Sequence, residues 1–237
     1  MSKKTFVYTG HENLEAMTEA INYNSYLIKL ILQELPDKKT KKIKVLDFGA
    51  GSGTYADMLK EKGVEVDCLE PDKKLRTILS QKGYKVLNNV NDLKPESYDL
   101  IYALNVFEHI EDDHGNFAAL TKTLTKNGII LIYVPAFQSL FSSMDKLVGH
   151  HRRYRKTRLR HMASNNNMTI LKLHYCDPVG FAAALAFNAT RNSTGIISAK
   201  SVKLYDTIVF PISTLLEPIL KHILGKNVVL VAKNDAK

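Results

Sequence analysis

The chain has no tryptophan, only two cysteines, and no long apolar run. Each shortage excludes something. Cys68 and Cys176 cannot build a disulfide framework, which points to a reducing compartment. No stretch approaches the roughly 18 apolar residues of a membrane-spanning helix, and Met1-Ser2-Lys3-Lys4-Thr5 leads into no apolar signal-peptide core. The expected location is the cytoplasm. No set of cysteines and histidines has zinc-ligand spacing, so the sequence supports no metal site. Aromatic residues are not interleaved with basic ones, as a single-strand nucleic-acid surface would require. Acidic residues are missing from one long stretch. Lys146 to Cys176 carries eight Lys and Arg with no Asp or Glu, nearly the whole of the net charge of +9. Two readings fit it: a solvated basic face, or a surface for phosphate, carboxylate, nucleic acid or anionic lipid.

With 237 residues, 45% hydrophobic and 24% charged, the chain can bury a full core and is neither disordered nor low in complexity. Residues 12–35 repeat apolar positions at three- and four-residue steps, the pattern of a helix. Thereafter strands and helices alternate. Strands are expected at Ile43–Phe48, Val64–Leu69, Tyr84–Leu87, Tyr98–Leu104 and Ile129–Val134, with helices at Tyr55–Lys62, 73–82 and 112–125 between them. This βαβ spacing predicts an α/β, Rossmann-like, doubly wound sheet. Thr169–Tyr175 and Val228–Ala232 read as sixth and seventh strands, and about fifty helical, unusually apolar residues separate them, interrupted by Pro211 and Pro218. Insertions of that length are usually functional.

The strongest signal is Val45-Leu46-Asp47-Phe48-Gly49-Ala50-Gly51-Ser52-Gly53, a strand running into a glycine loop and a helix. Glycines there let a ligand approach the backbone closely. Glu70 follows Gly49 by 21 residues, at the end of the second strand and before Pro71, where a carboxylate receives a ribose diol. A dinucleotide or S-adenosylmethionine would use such an architecture. The third glycine comes one residue early for a dinucleotide fingerprint, and Asp47 would repel a pyrophosphate but tolerate a cationic sulfonium.

Val45–Gly53 therefore resembles motif I of the class I S-adenosylmethionine-dependent methyltransferases. The resemblance implies a seven-stranded sheet whose last strand is antiparallel, within a single domain over 1–237. Residues 12–35 would cap the cofactor, 43–176 would be the nucleotide-binding core, 178–226 a helical insert over the substrate, and 228–232 the last strand. Tyr98-Asp99-Leu100-Ile101 with Asn105-Val106-Phe107-Glu108-His109-Ile110 is similar to the fourth strand and following loop of the type 11 group, which implies that Asn105 lies near the methionine moiety. The adenine position falls at Asn88 to Asp92, with Asn89 and Asp92 both eligible, and Tyr23 lies on the capping helix.

Asp145 to Tyr154 resembles a D-x-x-x-G-H-x-R-R-Y signature of one subset of these enzymes. Methyl transfer needs an oriented nucleophile and a proton acceptor. His150 and His109 are the candidates, with Tyr154 third. Arg152 and Arg153 would grip a phosphate or carboxylate, or else order the loop, and Asp145 would pair an arginine or orient His150. The fourth-strand loop has no Asn/Asp-Pro-Pro-aromatic motif for an adenine nitrogen, and neither cysteine sits in a Pro-Cys loop. The expected acceptor is a small molecule, methylated on oxygen or nitrogen, anionic, glycan-like or lipid-linked, the last with peripheral membrane contact. The alternatives are an RNA methyltransferase, which the net charge favours, and a non-catalytic S-adenosylmethionine-binding module.

Overall fold

The computed structural model describes residues 19–37, 42–189 and 199–235. Seven strands form one sheet in the order β3-β2-β1-β4-β5-β7-β6. They are β1 (Val45–Phe48), β2 (Val66–Leu69), β3 (Val86–Leu87), β4 (Tyr98–Leu104), β5 (Leu124–Pro135), β6 (Met168–Cys176) and β7 (Asn227–Asn234). The last strand, β7, inserts antiparallel between β5 and β6, and the pairings among β1 to β5 are parallel. The reversal of winding falls between β1 and β4, so the ligand crevice of such a sheet opens at their carboxyl ends.

Alternation along the central strands builds two cores. Leu46, Phe48, Ile101, Ala103, Ile130 and Ile132 face one way, against Phe117, Leu120, Leu159 and Met162. Val45, Cys68, Leu100, Tyr102, Leu131 and Tyr133 face the other, against Leu27, Ile28, Ile31, Leu59 and Leu79. Both cysteines are buried free thiols. The covering helices are α1 (Ile21–Gln33), α2 (Thr54–Lys60), α3 (Lys73–Gln81), α4 (Asp113–Thr123), a short α5 (Ser143–Leu147) and α6 (Lys156–Asn165).

Several boundaries differ from the sequence expectation. The capping helix is seen from Ile21 only; the part expected over 12–18 lies outside the described residues. The expected stop at Asn127-Gly128 is instead a bulge within β5, where the pairing shifts between Tyr98 and Leu100. Only glycine fits this bend: a Cβ at Gly128 would lie 2.9 Å from the Thr125 carbonyl and 3.0 Å from that of Tyr98. Helix α6 was not foreseen, because its apolar Leu159, Met162 and Ala163 are scattered through a strongly basic stretch.

Between β6 and β7 lie α7 (Pro178–Ala189), α8 (Ala199–Leu204), a π-helical turn over Tyr205–Val209, and α9 (Phe210–Leu220). Pro211 occupies the first turn of α9, where a proline costs nothing, and Pro218 lies inside the helix, so neither divides it. A buried carboxylate docks the insert. Asp177 accepts from the Gly180 amide, the Ser213 hydroxyl and the Tyr205 hydroxyl. A second ties the insert to α1. No side chain caps α1 locally, yet Asp206 of the π turn accepts from the Asn22 amide at 2.9 Å and the Tyr23 amide at 2.8 Å. These are orphan donors of a helix N-terminus, and the negative charge complements its dipole.

Asp206→Ala should therefore cost about 1–2 kcal/mol, the range for losing a helix cap. Denaturant unfolding would report the loss, and hydrogen exchange at the Asn22 and Tyr23 amides should accelerate more than exchange in β4. Unaltered protection at those amides would refute the capping role.

Candidate active site

Two clusters meet at the carboxyl edge of the sheet, one on each side of the β1–β4 crevice. The first is the glycine loop after β1. The Gly49 and Ala50 amides both donate to the Leu69 carbonyl, which fastens the loop to the end of β2. Gly49 has φ +81°, and a Cβ there would lie 2.5 Å and 2.7 Å from the Val106 methyl groups. Glycine is thus required both by conformation and by contact with the loop after β4. Gly53, at φ +90°, starts α2 from the left-handed region, with Leu79 2.8 Å from where a Cβ would stand.

Glu70 is buried beside this loop. One carboxylate oxygen accepts from the Gly51 amide and the other from the Asp72 amide, each at 2.8 Å. Burial raises its pKa above the ordinary glutamate value. Each oxygen keeps a further lone pair for a ligand hydroxyl. The Pro71 carbonyl accepts from Arg76. Asp47 is buried at the end of β1, its Oδ2 has no hydrogen-bond partner, and burial pushes its carboxyl up to about 7. A buried carboxylate oxygen without a donor is costly, and a cationic group beside it removes that cost. The donor set thus fits S-adenosylmethionine: a diol acceptor at Glu70, an anion for a sulfonium or ammonium at Asp47, and a bare glycine backbone between them.

Asn105, at φ +55° after β4, donates from its side-chain amide to the Tyr23 hydroxyl. Tyr23 itself packs edge-on against Tyr133 and Phe210. The structure therefore brings the capping helix to the β4 loop. Asn89 and Asp92, the two eligible adenine residues, cap one turn between them: Asn89 accepts from the Asn91 amide, and Asp92 accepts from the Asn89 amide.

The second cluster joins the β4 loop to the segment Ser142–Tyr154. Glu108 is wholly buried, and neither of its side-chain oxygens has a hydrogen-bond partner. Burial pushes its carboxyl up to about 8. The His109 and His150 rings meet edge to face, 4.6 Å between centres. Burial and the neighbouring His150 push His109 down to about 4, so it is neutral at pH 7. His150 directs Nδ1 to Asp145 at 2.7 Å and Nε2 toward Glu108 at 3.8 Å. Burial alone would raise Asp145, but hydrogen bonds from His150 and Arg153 outweigh it and hold the carboxyl well below the usual range.

Of the two roles open to Arg152 and Arg153 the structure has them order the loop, Asp145 takes both internal roles open to it, and Tyr154 is the assignment that needs correction. Arg153 does not face a substrate anion: its Nε and Nη2 both donate to Asp145, and its side chain is 9% exposed. Arg152 donates to the Ile110 and Glu111 carbonyls and lies 3.1 Å from Asp113. Of the expected substrate ligands, Asp145 is therefore the internal partner of both Arg153 and His150. Tyr154, expected as the third proton acceptor, is fully buried and donates to Asp113 and the Phe107 carbonyl. Main-chain pairing with Pro135 and Phe137 holds it there. Arg158 grips the same Asp113 with two bonds. Asp113 and Arg158 had no local signal, because they stand 45 residues apart; Glu108 had one, being adjacent to His109 at a strand end.

A methyltransferase domain family model matches residues 20–173. The chain is 31% identical over 133 residues to an uncharacterised methyltransferase of Staphylococcus carnosus, covering 54% of this chain and 61% of that protein. It is 30% identical over 115 residues to a ubiquinone biosynthesis O-methyltransferase of Rickettsia typhi, covering 45% and 46%. The chain thus spans about half to three-fifths of the length of these curated relatives. A crystal structure of a SAM-dependent methyltransferase from Archaeoglobus fulgidus superposes with a TM-score of 0.61 at 14% identity, over 94% of this chain and 99% of that one. With the glycine loop, the acid after β2 and the seven-stranded sheet all in place, the chain belongs to the methyltransferase domain family.

Proposed function

We propose that the protein transfers a methyl group from S-adenosyl-L-methionine to an oxygen or nitrogen of a small-molecule acceptor, as a member of the D-x-x-x-G-H-x-R-R-Y subset. One observation carries the reading: His150, seated on the Asp145 carboxylate, meets the ring of His109, whose backbone is hydrogen-bonded to Val106, which itself packs on the glycine loop. S-adenosyl-L-methionine, bound there, supplies an electrophilic methyl carbon on a sulfonium. The residues of the chain do the rest. Glu70 orders the loop and accepts from the ribose hydroxyls. With His150 Nδ1 donating to Asp145, the ring's lone pair is at Nε2, where it can receive the acceptor's proton, and Asp145 stabilises the resulting cation. The name of the Rickettsia relative favours oxygen as the acceptor atom. The inward arginines weigh against the RNA alternative, since Arg152, Arg153 and Arg158 are spent on internal carboxylates.

A second observation bears on where the acceptor resides. Leu204, Ile208, Ile212, Leu215 and Ile219 recur at three- and four-residue steps on α8, the π turn and α9, Ile223 follows in the turn after α9, and all six are 50–76% exposed. On this segment, among the described residues, the acids are occupied, Asp206 by α1 and Glu217 by Tyr26, while Lys200 and Lys203 are exposed. An apolar stripe rimmed by lysines matches an anionic bilayer surface. It supports a lipid-linked acceptor reached at that surface.

Three outcomes are expected. Glu70→Ala should weaken S-adenosylmethionine binding by about tenfold or more in calorimetric titration, because two hydroxyls lose an ionised acceptor; full affinity would remove Glu70 from the cofactor site. His150→Ala should lower turnover roughly a hundredfold with labelled methyl donor and phenolic or lipid-linked acceptors, and leave donor affinity nearly intact. Transfer to RNA in place of these acceptors would overturn the small-molecule reading. The protein should co-sediment with phosphatidylglycerol vesicles, and Leu215→Asp with Ile219→Asp should abolish this. Failure to sediment, with dimerisation in ultracentrifugation, would make the stripe a self-interface.

A further inference from the structure

The Glu108 carboxylate is the anomaly of the active site. Asp145 and Asp113 beside it are saturated with donors, whereas Glu108 is equally buried and has none. A buried carboxylate with two unpartnered oxygens calls for a cation or a proton. Facing it is His150, and next to His150 is His109. One ligand atom from each of Glu108, His109 and His150 can be chosen so that all three lie within 4.8 Å of one another. Ligands around a tetrahedral ion are separated by roughly 3.3–3.5 Å, given bonds near 2.0–2.1 Å. The His150 Nε2 to Glu108 Oε1 separation of 3.8 Å is close to that already.

The surroundings are those of a prepared ligand set. Asp145 holds His150 through Nδ1, which fixes the tautomer with the Nε2 lone pair directed at Glu108. A carboxylate behind a ligating imidazole is the usual outer support of a metal site. Arg153 and Ser142 in turn hold Asp145, so the imidazole is seated on a rigid base. Backbone groups of Gly149 and Val148 hydrogen-bond to the His109 ring. The linear spacing of these residues matches no zinc pattern, because two come from the β4 loop and the third from beyond β5.

We propose that Glu108, His109 and His150 bind one divalent transition-metal ion. Two imidazoles and one carboxylate suit zinc, manganese or iron(II), and do not suit magnesium, which prefers oxygen ligands throughout. Three protein ligands leave coordination positions open toward the crevice. Resting on the methyl-transfer reading, those positions take the acceptor's hydroxyl oxygen. The ion then lowers the hydroxyl pKa, and the proton leaves to solvent. The oxygen's lone pair forms the new O–C bond as the C–S bond breaks, its electrons passing to sulfur, and the metal's oxidation state does not change. The two roles of His150 alternate on one lone pair: without the ion Nε2 receives the acceptor's proton, and with the ion bound the same nitrogen is a ligand.

The experiment uses the full chain, stripped with chelator and then titrated with zinc and with manganese. One equivalent should bind with micromolar or tighter affinity, magnesium should not compete, and cobalt substitution should give a visible absorption band. Glu108→Gln, which keeps the side-chain shape, should weaken zinc at least tenfold, and Asp145→Asn should weaken it about 10–100-fold. S-adenosylmethionine binding by the same variants reports that they fold. Zinc binding with equal affinity to wild type and Glu108→Gln, or no binding at all, overturns the site. Full methyl transfer by stripped protein overturns the metal's part in the reaction. Metal binding without transfer to any acceptor sinks the methyl-transfer reading alone and leaves the site standing.

Discussion

Five hydrogen bonds converge on the two oxygens of Asp145: two from Arg153, two from Ser142 and one from His150. This buried carboxylate is the interaction on which the active-site loop depends. Taking a carboxylate out of water costs several kcal/mol, and the cost is recovered only when its partners are complete and well placed. The loop after β5 buries Ala136, Leu140, Val148 and Tyr154, but its charged residues need partners as well. It also folds around this charge, and around a second one, Asp113, held by Arg152, Arg158 and Tyr154. Removing one partner from either centre would strand a buried charge, so Arg152 and Arg153 order the loop, one of the two roles open to them in the sequence.

The same logic links the distant parts of the chain. Asp206 caps α1 from the insert, and Asp177 receives Tyr205 and Ser213 from the helices that follow it. Capping helix and insert are thereby joined over the crevice through charge and hydrogen bonding, with Phe210 packed on Tyr23 and Tyr26 as the apolar contact between them. Tyr23 then passes the connection to Asn105 at the end of β4. Insert, α1 and the end of β4 are thus joined by one continuous set of contacts.

What could be read from the sequence follows from the range of each interaction. The glycine loop and Glu70 were legible because their constraint is local: a strand, a turn and an acid at fixed spacing. The parallel strands were legible because alternation and βαβ spacing are local too, whereas the antiparallel β7 came only with the family resemblance. The arginines stayed open between a substrate grip and ordering the loop because charge alone is visible in a sequence, whereas Asp113, the partner of Arg152 and Arg158, is reached only by folding. Helix α6 was hidden by its own basic residues, and the cap of α1 lies 184 residues away. Glu108 was in plain view beside His109, but its isolation from every donor exists only in three dimensions.

That isolation is the sharpest feature of the site, because the loop around it is otherwise fully satisfied. A loosely built loop would leave polar groups unpaired at random. Here, among the described residues, the buried side-chain oxygens without a partner are those of Asp47, Tyr102, Glu108 and Tyr133. Both carboxylates in that set stand toward the carboxyl ends of strands at the crevice, Asp47 within the end of β1 and Glu108 in the loop after β4, the two strands between which the sheet reverses. Stabilising an unpaired carboxylate by burial of the neutral form would need no crevice. Their placement on opposite sides of one argues that each is completed by something that enters it: a cationic donor molecule on the glycine-loop side, and a metal ion on the histidine side.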